Sequence, residues 1–197
     1  MRVFGRGSVA QRPASRHRPV SLALSVLLVL FVSCTGAPAE EAPSGPAELP
    51  PAPSEPEEGV YLYPTRFEAS PGDDLAVQIK VKPAGQGVSG CEVVIGYDPP
   101  VMESLGVEAG DFLGAAPVIG LEKIDSQSGT IALAMARGGE TAVPSPAGTL
   151  ATAIFRVVDS AAAGQYYLRL TWASLSDQDF LDIIGFPTQG AEVWIAS

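Results

Sequence analysis

The chain predicts an all-β fold, a nine-stranded β-sandwich of jelly-roll type over residues 60–197, and three observations carry that expectation. After Gly59 the apolar residues fall at alternate positions, the period of strands with one face buried. Turn signals such as Pro71-Gly72-Asp73, Ser128-Gly129 and Ala163-Gly164 separate these runs. No stretch carries the three-to-four residue apolar stripe of an amphipathic helix.

The first strand is read at 60–63. In the second, Leu75, Val77, Ile79 and Val81 alternate with Ala76, Gln78, Lys80 and Lys82, giving a buried and a wetted face. Cys91, Val93, Ile95 and Tyr97 repeat the pattern, and Asp98-Pro99-Pro100 ends that strand because proline donates no ladder hydrogen bond. Further strands are read at 101–108, 118–125, 130–136, 150–158, 166–173 and 191–196. A body of this length encloses a core of ordinary size.

The N-terminus has a different character. Arg2, Arg6, Arg12, Arg16 and Arg18 precede a nearly continuous apolar run at 20–33, the basic and apolar regions of an export signal over residues 1–33. The run is shorter than the roughly 20 residues a membrane span needs. It ends Leu30-Phe31-Val32-Ser33-Cys34, which resembles a bacterial lipobox whose cysteine is acylated and becomes the first mature residue. Phe31 stands where that pattern prefers leucine. Residues 34–59 are read as the lipid-attachment cysteine and a disordered spacer, since seven prolines, six glutamates and no basic residue leave little to bury. The expected product is an exported domain held by lipid at the cell surface.

Removal of residues 1–33 takes five of the twelve basic residues and no acid. Seven basic against twenty-two acidic residues then leave a formal charge of −15. Such a chain repels nucleic acid and anionic headgroups. His17, the single histidine, goes with the export segment, so the product lacks the side chain most used for proton transfer near neutral pH and for zinc. No nucleophile elbow or phosphate loop is present, and nothing singles out two carboxylates as a glycosidase pair. These absences point to a non-catalytic binder with no cofactor. With Cys34 acylated, Cys91 has no intrachain partner for a disulfide.

Ser70-Pro71-Gly72-Asp73, Gly87-Val88-Ser89-Gly90, Tyr97-Asp98-Pro99 and Val107-Glu108-Ala109-Gly110-Asp111-Phe112-Leu113 follow one another along the chain. The segments at 148–157 and 162–164, Leu175-Ser176-Asp177-Gln178-Asp179 and the closing Val193-Trp194-Ile195 continue the series. This order of motifs is similar to that of a cohesin domain. The resemblance implies a nine-stranded jelly-roll, related to carbohydrate-binding modules, that binds dockerins through one sheet face. Dockerins are modules of secreted enzymes, and the calcium of such a complex is theirs.

By the same resemblance, the docking face takes the outward residues of the strands at 91–97 and 130–136. Alternation places Gly90, Glu92, Val94 and Gly96 outward on the first, and Ala132, Ala134 and Ala136 outward on the second, with Asp125 and Arg137 at the margins. The face is then flat and nearly apolar, unlike the polar outer face of a solvated sheet. Arg137 stands where many dockerin-binding relatives carry an acid, Gly90 replaces a polar side chain, and the alanines form a thin platform. An alternative reading keeps the scaffold but binds polysaccharide, with Trp194, Tyr61 and Tyr63 as a stacking platform for a sugar ring. A third is a structural piece of the cell envelope. Asp177, Asp179 and Asp182 lack the glycine and glutamate of an EF-hand loop and are read as solvated loop, so no metal site is assigned.

Overall fold

The computed structural model describes residues 49–139 and 142–196. The export segment, Cys34 and the first part of the spacer lie outside the described residues. Among the described residues twelve strands form: β1 (Gly59–Tyr63), β2 (Arg66–Ala69), β3 (Asp74–Lys82), β4 (Gly90–Gly96), β5 (Met102–Ala109), β6 (Val118–Asp125), β7 (Thr130–Ala136), β8 (Gly148–Val157), β9 (Gly164–Ser176), β10 (Asp182–Ile183), β11 (Thr188–Gln189) and β12 (Ala191–Ile195). The nine expected strands are all present, and β2, β10 and β11 are additional short pairings of two to four residues.

The strands make two facing sheets, one in the order β11-β1-β3-β8-β5 and the other β2-β12-β9-β4-β7-β6, with β10 on β9. This is the jelly-roll sandwich that the alternation predicts. From the first sheet Val60, Leu62, Val77, Ile79, Val81, Phe155 and Val157 point inward, and from the second Val93, Ile95, Ile131, Leu133 and Val193 meet them. Tyr97 meets Phe155 edge to face at 5.3 Å between ring centroids. The tight turn between β6 and β7 needs Gly129, whose φ of 66° is paired with a close approach: a Cβ there falls 2.3 Å from the Tyr97 carbonyl oxygen.

The chain enters by a route that composition alone does not show. Residues 50–56, read as free spacer, lie as a strap around one edge of the sandwich. On the outer side of the first sheet, Glu55 Oε2 accepts from Tyr61 OH at 3.0 Å and from Lys82 Nζ at 2.8 Å. Gln189 donates to the Ser54 carbonyl at 3.0 Å, and Thr65 donates to that of Pro53 at 2.6 Å. Arg66 then donates to the carbonyls of Pro50 and Pro51 while pairing with Glu192 at 2.6 Å. Prolines cannot donate backbone hydrogen bonds, but their carbonyls accept, so a proline-rich segment is held by donors on the body. Lys82, then Tyr61, hold the Glu55 carboxyl below the usual carboxylate range. This contribution is present above the ordinary carboxylate pKa and is lost as pH falls through the lowered one.

Two outcomes follow from these contacts. Tyr97 OH is buried without a hydrogen-bond partner, so Tyr97→Phe is expected to leave stability unchanged or raise it by up to about 1 kcal/mol, whereas Phe155→Ala lowers it by about 3–5 kcal/mol in denaturant unfolding. Arg66→Ala is expected to release the strap. Cleavage of the native chain after Glu57 and Glu58 by a glutamate-specific protease should quicken at least tenfold, with near-ultraviolet circular dichroism retained.

Candidate functional site

The outward face of β9, β4, β7 and β6 is a grid fixed by strand register. Trp172, Val94, Ala132 and Lys123 form one row across the four strands, and Ser174, Glu92, Ala134 and Leu121 the next. Ser176, Gly90, Ala136 and Val118 lie beyond these on one side, with Arg169, Gly96, Thr130 and Asp125 on the other. Beneath it Cys91, Val93 and Ile95 of β4 and Ile131, Leu133 and Met135 of β7 are committed to the core. The pleat therefore leaves the two central strands only small or short residues outside, Glu92 excepted.

Glu92 is exposed, and Val94, Gly96, Ala132, Ala134 and Ala136 are half-buried on the same face. Gly90 is on the face but buried, because Ser176 from β9 leans over it and a Cβ at Gly90 falls 2.7 Å from the Ser176 hydroxyl. It floors a shallow hollow of about 250 Å3 that Glu92, Ala136, Ser174 and Phe180 help to line. The expectation that Gly90 offers accessible surface is corrected accordingly.

Asp125 and Arg137 are both drawn into local structure at the margins. Asp125 Oδ1 accepts from the amides of Gln127 and Ser128, each at 3.1 Å, and these amides, Ser128 first, hold its carboxyl below the usual range. Arg137 Nε donates to Ser89 Oγ at 3.0 Å, tying the end of β7 to the segment that leads into β4. Cys91 sits beneath the face, and burial pushes its thiol up to about 12. At neutral pH it stays protonated and a poor nucleophile.

The sugar-stacking platform is not assembled. Val60 and Leu62 face the core, so Tyr61 and Tyr63 project from the outer side of the first sheet, while Trp194 projects from the outer side of the second. The aromatic groups stand on opposite sides of the sandwich. Tyr61 is 2% exposed beneath the strap. Trp194 is occupied as well, its N–H donating to Glu192 at 3.2 Å and Arg66 lying 5.5 Å over its ring. β1 lies in the first sheet between β11 and β3, and after Tyr63 the chain crosses to the second. It is β2 that runs beside β12.

Among the described residues, no group of three or more histidines, cysteines, aspartates or glutamates is placed to hold a metal ion. Asp177 instead organises its own loop, accepting from the amides of Asp179 and Leu181 at 2.9 and 3.0 Å.

The fold and this face define a β-sandwich module with a broad, shallow surface. The profile of the cohesin domain matches residues 63–182, and the chain belongs to the cohesin family. No curated protein matches it. Solved structures share the fold. A non-cellulosomal cohesin from the archaeon Archaeoglobus fulgidus is 18% identical with a TM-score of 0.58, the match covering 72% of this chain and 93% of that one. A type II cohesin from the cellulosome of Acetivibrio cellulolyticus is 19% identical with a TM-score of 0.61, covering 70% of this chain and 95% of that one. A cohesin solved in a type I cohesin–dockerin complex from Clostridium thermocellum is 18% identical with a TM-score of 0.58, covering 70% of this chain and 98% of that one.

Sequence reasoning missed the contributions of β9 and β6 to this face, above all Trp172, Leu121 and Val118. Each is exposed, at 55%, 41% and 58% respectively. The alternation Tyr166, Leu168, Leu170 places residue 172 inside, but the β4–β9 register shifts between Val94 and Ile95 and turns Trp172 outward. A shift at Ile119–Leu121 does the same for Leu121. In both strands a β-bulge re-aims the side chain.

Proposed function

We propose that this domain is a non-catalytic receptor for a dockerin-type protein module, docked on the outward face of β9, β4, β7 and β6, and that it is exported and held at the cell exterior by lipid on Cys34. The observation that carries the docking reading is the face itself. Gly96, Ala132, Ala134, Ala136 and Val94 make a low floor that sheds little bound water when covered, and the single central charge, Glu92, is positioned to fix a partner's orientation. Membership of the cohesin family and the presence of dockerins in the Clostridium thermocellum complex support the choice of partner class. Calcium in such an assembly belongs to the partner. Recruitment of a polysaccharide-degrading enzyme follows if the dockerin is borne by one.

The docking reading is tested by titrating the mature chain with calcium-loaded type I and type II dockerin modules. Binding to at least one is expected, and Ala134→Arg should abolish it without lowering thermal stability, because the new side chain stands up from the floor. Unchanged affinity in Ala134→Arg removes this face from the account. Retention on insoluble polysaccharide in the absence of any dockerin binding supports the carbohydrate-binding alternative.

The anchoring reading is tested in the cell. Wild-type chain should partition with membranes and be reached by external protease, and Cys34→Ser should release it or leave it unprocessed; equal partitioning of both forms counts against a lipid anchor.

A further inference from the structure

We infer that Trp172 is the anchor by which the docking face selects its partner, and that the partner receives it in an apolar recess carrying a carbonyl or carboxylate oxygen for the indole N–H. The inference rests on the docking reading above and adds what the partner's surface must contain.

The two tryptophans of the chain are treated differently by the fold. Trp194 has its N–H on Glu192 and its ring beneath Arg66. Trp172 is 55% exposed, and among the described residues its N–H has no hydrogen-bond acceptor and no cation lies over its ring. Its neighbours across the face are Val94 and Ala132, so the indole stands beside short side chains of the floor. A large rigid aromatic standing above small residues is complementary to a recess, not to a flat or convex surface. Once the recess closes over it, the indole N–H loses water and needs an acceptor, because a buried donor left unpaired costs free energy.

The backbone supplies a second and independent argument. Regular alternation along β9 would bury residue 172, and the register shift between Val94 and Ile95 is what turns it to the outside. Leu121 on the other flank is also turned outward by a shift, at Ile119–Leu121. Paired bulges on the strands bordering β4 and β7 thus aim apolar side chains at one surface, at the expense of regular ladder pairing. Of the exposed apolar residues on that surface, tryptophan is the type most enriched among those that dominate binding energy, whereas leucine and valine are under-represented.

The test uses the mature chain carrying Trp194→Phe, so that Trp172 is its sole indole, titrated with the calcium-loaded dockerin modules. The tryptophan emission should move to shorter wavelength on binding, Trp172→Ala should weaken affinity at least thirtyfold, and Trp172→Phe should fall between the two. A module that binds, is blocked by Ala134→Arg, and yet loses less than threefold on Trp172→Ala with no emission shift overturns the anchor while leaving the docking face intact. Absence of binding to every module overturns the docking reading and the anchor together. An emission shift and Trp172-dependent retention on insoluble polysaccharide, with no module bound, assigns the indole to sugar stacking and also overturns the proposal.

Discussion

The pleat of β4 and β7 is the constraint on which the rest depends. These strands lie side by side in the middle of the larger sheet, and every second side chain, from Cys91 to Ile95 and from Ile131 to Met135, is spent on the core. Because the strand period is two, the remaining positions are forced to the other side, and a slip of one residue would exchange core and surface wholesale. The same register that packs the sandwich therefore composes the low floor of the outward face. Core and outward face are two sides of one pairing, which is why the floor holds alanine and glycine while the walls carry Trp172 and Leu121.

Much of this was legible in the sequence because alternation is a local signal. The inward set of β3, β4 and β7, the turn at Ser128-Gly129 and the outward side of Glu92 and Ala134 all follow from counting residues in twos. The walls were hidden for a physical reason: a bulge inserts one residue and reverses the parity of everything after it, so Trp172 reads as core from Tyr166, Leu168 and Leu170. Nothing in the residues at 170–172 marks the reversal. The strap was hidden differently, since its hold comes from donors on Thr65, Arg66, Lys82 and Gln189, far along the chain from the carbonyls they meet. Composition reports that a proline-rich segment cannot form a core of its own, but not that a finished body offers it donors.

The short additions to the nine strands have the same origin. β2, β10 and β11 hold too few residues to show a period, and each exists because a longer strand already stands beside it. Their placement decided the fate of the aromatic residues near the ends of the chain. By taking the position next to β12, β2 sends Tyr61 and Tyr63 to one side of the sandwich and Trp194 to the other, and Arg66 from the same short strand closes over Trp194. A four-residue pairing without any sequence signal thus keeps apart the aromatic residues that the alternative sugar-binding reading brings together.

The strap also decides where a pull from the N-terminal side is felt. Arg66 holds the carbonyls of Pro50 and Pro51, and behind it Thr65, Gln189, Lys82 and Tyr61 hold residues 53–56, so tension entering at residue 49 meets side-chain hydrogen bonds one after another before it reaches the ladder of β1. Arg66 stands on β2, at the edge of the larger sheet remote from β6, so such a load is taken up away from the outward face of β4 and β7.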